Sequence, residues 1–106
     1  CRPSDRQTMR MSYLDADAEL IRSCLPEGTG VPDGSEDLFV LYAVLMRVKG
    51  AATQAADVHD AWSAWMSRSE PEHDSIRPFD QLSPIVQAED LPFLAAIRRA
   101  ADIRKL

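Results

Sequence analysis

The segment Asp37–Lys49 constrains the fold most. Leu38, Phe39, Leu41, Tyr42, Leu45, Met46 and Val48 leave Arg47 and Lys49 as its only clearly polar positions after the first turn. A helix that is apolar almost all round belongs in the middle of a bundle, since every face needs cover from water. Ser35, Glu36 and Asp37 supply a start signal, and the two cations lie at the negative end of the helix dipole. Gly50 suits the left-handed residue that often closes a helix. The rest of the chain must furnish the cover.

Three other segments can do so. Ser12 is a good cap for a helix in which Tyr13, Leu14, Ala18, Ile21, Cys24 and Leu25 recur at helical spacing, and Pro26 ends it. A surface loop, Glu27 to Gly34, follows. Thr53 can cap a third helix, Gln54 to Ser67, whose stripe is Val58, Ala61, Trp62, Trp65 and Met66. Arg68 to Ser75 reads as loop and Pro78 to Leu82 as one short turn that braces the third helix against the last. Ser83 caps a further helix with Pro84 at its first position, where the missing N–H costs nothing. Asp90 can re-cap before Pro92, giving a last helix, Leu91 to Ile103, with Phe93, Leu94, Ile97 and Ala101 inward and Arg98 and Arg99 outward. No run alternates long enough to be a strand. The fold expected is all-α: one domain over residues 12–106, with four main helices and a short helical turn.

Residues 1–11 are polar and aperiodic, and a mobile tail is expected there. Cys1 has two readings. It is a processing or cloning remnant, with initiation at Met9 or Met11, or the acylated first residue of a lipoprotein. Cys24 is expected to pack as a small hydrophobe. No apolar run approaches the roughly 20 residues that span a bilayer, and a cytoplasmic protein is expected. A net charge of −5 argues against phosphate-backbone binding.

Both histidines and both tryptophans fall between Thr53 and Leu82. That stretch carries a family resemblance. His59-Asp60-Ala61-Trp62, Glu72-His73-Asp74-Ser75-Ile76-Arg77-Pro78-Phe79-Asp80-Gln81-Leu82 and the segment Ser83 to Ile97 resemble the repeat domain first described in ryanodine receptors, which also occurs as a small domain in bacteria and phages. The Pro-aromatic-Asp-x-Leu turn is the most specific piece. The insert between Trp62 and His73 is shorter than in that family, and Asp74 stands where a proline is usual. From Tyr13 onward the chain also resembles an actinobacterial and actinophage family of unknown function. The first resemblance implies a sensory module that binds a small, often nucleotide-like, molecule or docks to a partner, and not an enzyme.

The candidate ligand-binding residues are His59, Trp62, Trp65, His73, Arg77, Phe79 and Asp80. Each has a plain structural reading. His59 can bond a carbonyl or Asp80 and fix the turn, or offer a ligand a donor beside an indole. Trp62 and Trp65 can be core, or one can rim a pocket and stack on a planar ring. Asp80 can cap, or accept from a hydroxyl or an exocyclic amine. Arg77 can be solvated, or meet a phosphate. His59, Asp60 and Ser63 do not make a triad, since neighbours on a helix do not face each other. No phosphate loop, nucleophile elbow or metal-ligand spacing is present, so no catalytic residue, metal or cofactor is expected.

Two rival readings stand beside the sensor. One is a phage- or defence-associated protein-interaction module or homodimer, with Trp65 and Met66 as an exposed apolar patch. The other, DNA binding, requires Arg98, Arg99, Arg104 and Lys105 to form one basic face. The acidic balance leads us to expect no nucleic-acid partner.

Overall fold

Ser12 opens the first helix with a reciprocal pair of bonds. Its Oγ accepts the Asp15 N–H at 3.2 Å, and the Asp15 carboxylate accepts the Ser12 N–H at 3.0 Å, a capping box that satisfies two otherwise orphaned donors. A computed structural model describes residues 12–106; the expectations for Cys1 and residues 2–11 lie outside the described residues. Helix α1, Tyr13–Ser23, closes at Cys24, two positions before Pro26. Leu25 is steered from helical dihedrals by the proline that follows it. Cys24 is half-buried against the core, as expected.

Helix α2, Glu36–Lys49, is the centre of the bundle and packs against α1, the third helix and the last. Leu38, Phe39, Tyr42, Ala43 and Met46 are buried on it. Phe39 meets Tyr42 edge-on with ring centroids 5.4 Å apart, and Phe93 from the last helix completes the trio. Edge-to-face pairs of this kind add about 0.5–1.5 kcal/mol beyond the area they bury. The expectation of cover all round is only partly met. Val44 and Val48, one turn apart, are 41% and 74% exposed, because the neighbouring helices leave one stripe of α2 open.

Gly50 ends α2 at φ 53°. A side chain there would crowd Leu106, whose carbonyl carbon and oxygen lie 3.1 Å from a Cβ position, so the site needs glycine for both its dihedral and its space. A short 3-10 turn, Gly50–Ala52, follows. It changes the role of Thr53. The expected cap instead points back, with its Oγ1 donating to the Gly50 carbonyl at 2.7 Å in a fully buried setting. The N-cap of α3, Ala55–Met66, is therefore Gln54, whose N–H is taken by the Asp57 carboxylate at 2.8 Å.

Phe79–Gln81 forms a second 3-10 turn, and α4, Pro84–Ala88, starts at Ser83, whose Oγ accepts the Val86 N–H at 3.4 Å. The turn rests on α3. Gln87 ties it to α4 by donating to the carbonyls of Phe79 and Leu82 at 3.0 and 3.2 Å. Helix α5, Leu91–Arg104, turns Leu94, Ala96, Ile97, Ala100 and Ala101 inward. Arg98 and Arg99 are exposed, as expected, and Arg98 in addition bonds the Thr53 carbonyl, while Arg104 reaches the buried Asp17 on α1, which Arg47 of α2 also engages. The protein is all-α, with no strand among the described residues.

A candidate ligand cleft beside His59

A cleft of about 590 Å³ opens between α2, α3, the Gly28–Pro32 loop and the α4–α5 junction. That lies within the range of roughly 300–1,000 Å³ usual for small-molecule sites. Tyr42 comes from α2, His59 and Trp62 from α3, His73 and Ser75 from the loop after α3, and Glu89, Asp90 and Phe93 from the start of α5. The wall is mostly apolar and aromatic, with a few polar groups.

The α-helical spacing of His59 and Trp62 puts their rings side by side, stacked at 22° with centroids 5.6 Å apart. His73 meets Trp62 edge-on at 5.2 Å. The first imidazole is only 3% exposed. Its Nε2 lies 2.7 Å from the carbonyl oxygen of Arg77. A carbonyl can only accept, so Nε2 carries the proton. The Ser63 hydroxyl lies 3.3 Å from the same nitrogen. In His73 the Nδ1 accepts the Ser75 N–H at 3.1 Å, which fixes that ring in the same way. Two imidazoles are thus locked in orientation by backbone partners.

Asp90 supplies the electrostatics. It occupies the N-cap position of α5, as expected, but its dihedrals are helical and its side chain makes no capping bond. The carboxylate instead faces His59, with Oδ2 3.8 Å from Nδ1. Oδ2 is sealed from solvent and receives no hydrogen bond. Burial pushes this carboxyl up to about 6; His59 opposes the rise and Glu89 adds to it. Burial, with a contribution from Asp90, also holds the Tyr42 phenol well above its ordinary range.

One family model, "Domain of unknown function (DUF7701)", matches residues 12–102. The chain belongs to the DUF7701 family. The match takes in every residue that lines the cleft. No curated protein and no solved structure matches the chain. Among the described residues of this DUF7701 protein, no helix is long and apolar enough to cross a membrane.

Of the seven residues named from the sequence, three come together in the cleft: His59, Trp62 and His73. Phe79 is outside the lining, its ring 6.2 Å from that of His59. Trp65 is half-buried against the core. Arg77 contributes its backbone carbonyl, while its exposed side chain turns to the Asp74 carbonyl at 3.0 Å. Asp80 is exposed and outside the lining. The carboxylate beside His59 is therefore Asp90 and not Asp80. Sequence reasoning missed it because an aspartate before a helix containing proline near its start already has a sufficient explanation as a cap. Tyr42 was likewise absorbed into the core stripe of α2.

Proposed function

We propose that this protein is a small-molecule-binding sensor module of the ryanodine-receptor-repeat type, acting in the cytoplasm on a planar, nucleotide-derived molecule. One observation carries the reading: Asp90, a half-buried carboxylate with one oxygen sealed and unpartnered, stands beside an oriented imidazole on the wall of an aromatic cleft. A buried polar group without a partner costs stability, and a site that keeps one commonly does so for a ligand. The resemblance of His59–Trp62 and of the Pro78–Leu82 turn to small bacterial and phage domains supports the same reading. The test is a calorimetric screen of nucleobases, nucleosides and nucleotides against the wild-type chain and a Trp62→Ala variant. Micromolar binding that the variant loses supports the sensor. Uniform silence up to millimolar concentration defeats it.

A protein-docking role is the second reading, and the open stripe of Val44 and Val48 on α2 favours it. Trp65 and Met66, its expected patch, are both half-buried. Light scattering discriminates: an oligomer that Val48→Asp disperses supports docking, and a monomer at all concentrations removes this form of it. The basic face required for DNA binding has two of its four cations engaged elsewhere, Arg98 on Thr53 and Arg104 on Asp17.

A further inference from the structure

We infer that the cleft recognises a planar group by an N–H donor edge, of the amidine or amino-imino kind that guanine presents, and that it holds no phosphate. This rests on the ligand-binding reading and specifies its chemistry. With the His59 proton fixed on Nε2 by the Arg77 carbonyl, Nδ1 is left as a lone pair. It stands 3.8 Å from Asp90 Oδ2, a second acceptor, and among the described residues no N–H or O–H donates to that oxygen. Two neighbouring acceptors without a donor are the complement of a group that brings two donors; Oδ2 itself is sealed, so such a group reaches it by a turn of the Asp90 carboxyl, whose side chain is 15% exposed on the cleft wall.

The charge of the lining points the same way. Glu89 adds a second carboxylate next to Asp90, and no lysine or arginine lines the cleft. A phosphate placed there would meet two carboxylates and no cation, a repulsion that a low-dielectric wall strengthens. The Gly28–Gly30 lip offers little relief, because the N–H and the hydroxyl of Thr29 both donate to the Pro26 carbonyl, at 3.2 and 2.6 Å. The same two acceptors suit an amidinium, which brings two N–H donors and a positive charge toward the Asp90 carboxylate. A nucleotide-derived ligand would enter base first, and only its phosphate-free part would sit inside.

Four probes test this on the intact chain by calorimetry: benzamidine against benzoate, which share a ring and differ in the sign of the edge, and guanosine against guanosine monophosphate. The expected result is binding of benzamidine and guanosine, weaker binding of guanosine monophosphate and none of benzoate. An Asp90→Asn variant should weaken benzamidine by at least about tenfold, the scale of a hydrogen bond to a charged acceptor. The wild-type comparison stands even if that variant folds poorly. Tighter binding of benzoate or of the monophosphate overturns the donor-edge assignment and leaves the cleft as a ligand site. Indifference of benzamidine affinity to Asp90→Asn overturns it as well. Silence of all four probes overturns both the assignment and the sensor reading.

Discussion

Arg98 on α5 places two N–H groups on the backbone carbonyl oxygen of Thr53, Nε at 2.9 Å and Nη2 at 2.7 Å. Thr53 is fully buried, and its own hydroxyl is already committed to Gly50. The guanidinium thus closes the account of polar groups at the junction of α2 and α3, where α3 begins its run toward His59. Removing it leaves a buried carbonyl without a donor. Arg98→Ala should lower stability by about 1–3 kcal/mol, read as a shift in the urea midpoint. Arg98→Lys should recover only part, because an ammonium lacks the planar pair of donors. An Ala variant as stable as wild type would contradict the assignment.

Asp17 makes a second long-range tie. It is 1% exposed and is held by Arg104 at 2.9 Å and by Arg47, which also lies over the Tyr13 ring at 4.7 Å. Breaking a buried pair from the exposed side strands a charge, whereas neutralising the buried member does not. The double variant Arg47→Ala/Arg104→Ala should therefore unfold at lower urea than Asp17→Asn at neutral pH. The reverse order would mean that the carboxylate finds water once the arginines are gone.

The proton on Asp90 is coupled to folding. The folded pKa is about 6 against an ordinary 3.8, so the folded state holds the proton more tightly than the unfolded chain does. The stabilisation is complete below the ordinary value and is lost as pH rises through about 6. Burial sets the rise, His59 on α3 opposes it and adjacent Glu89 adds to it, and Tyr42 of α2 feels the same charge. Asp90→Asn should accordingly be more stable than wild type at pH above the shifted value, with the advantage shrinking as the pH falls toward the ordinary carboxylate range. Parallel unfolding curves for the two proteins across that window would refute the assignment.

The bond from His59 Nε2 to the Arg77 carbonyl joins α3 to a segment with no regular structure of its own. His59→Phe keeps the ring and loses that bond. The amides of Ile76, Arg77 and Phe79 should exchange faster, by about fivefold if the neutral bond contributes about 1 kcal/mol. The amides of α2 should be unchanged. Acceleration spread evenly over the whole chain would instead indicate global destabilisation.

The fold was legible where periodicity and punctuation agreed. The apolar run of α2, the Ser12 and Ser83 caps and Pro84 at a helix start are local signals, and each helix they mark is present within two residues of its expected bounds. What failed were positions whose local role is overridden by a partner distant in sequence. Thr53 is overridden more locally, by a 3-10 turn that returns its hydroxyl to the Gly50 carbonyl, while its own carbonyl is claimed by Arg98 from 45 positions away. Asp90 has the position of a cap and the environment of a buried carboxylate, since its neighbour is His59 on another helix. The same holds for the cleft. His59, Trp62 and His73 share one stretch of sequence, but Tyr42, Glu89 and Phe93 reach it only through packing.

That division separates the two indoles. Trp62 lines the cleft between two imidazoles, while Trp65, one helical turn on, is turned to the core and takes no part in the lining. A ligand entering the cleft changes the surroundings of the first ring only. With excitation on the red edge of indole absorption, guanosine should alter the emission of wild type and of Trp65→Phe alike, and leave Trp62→Phe unchanged. Both variants keep one indole, so each spectrum is its own internal reference. A guanosine response that follows Trp65 would place binding on the other side of α3, away from Asp90.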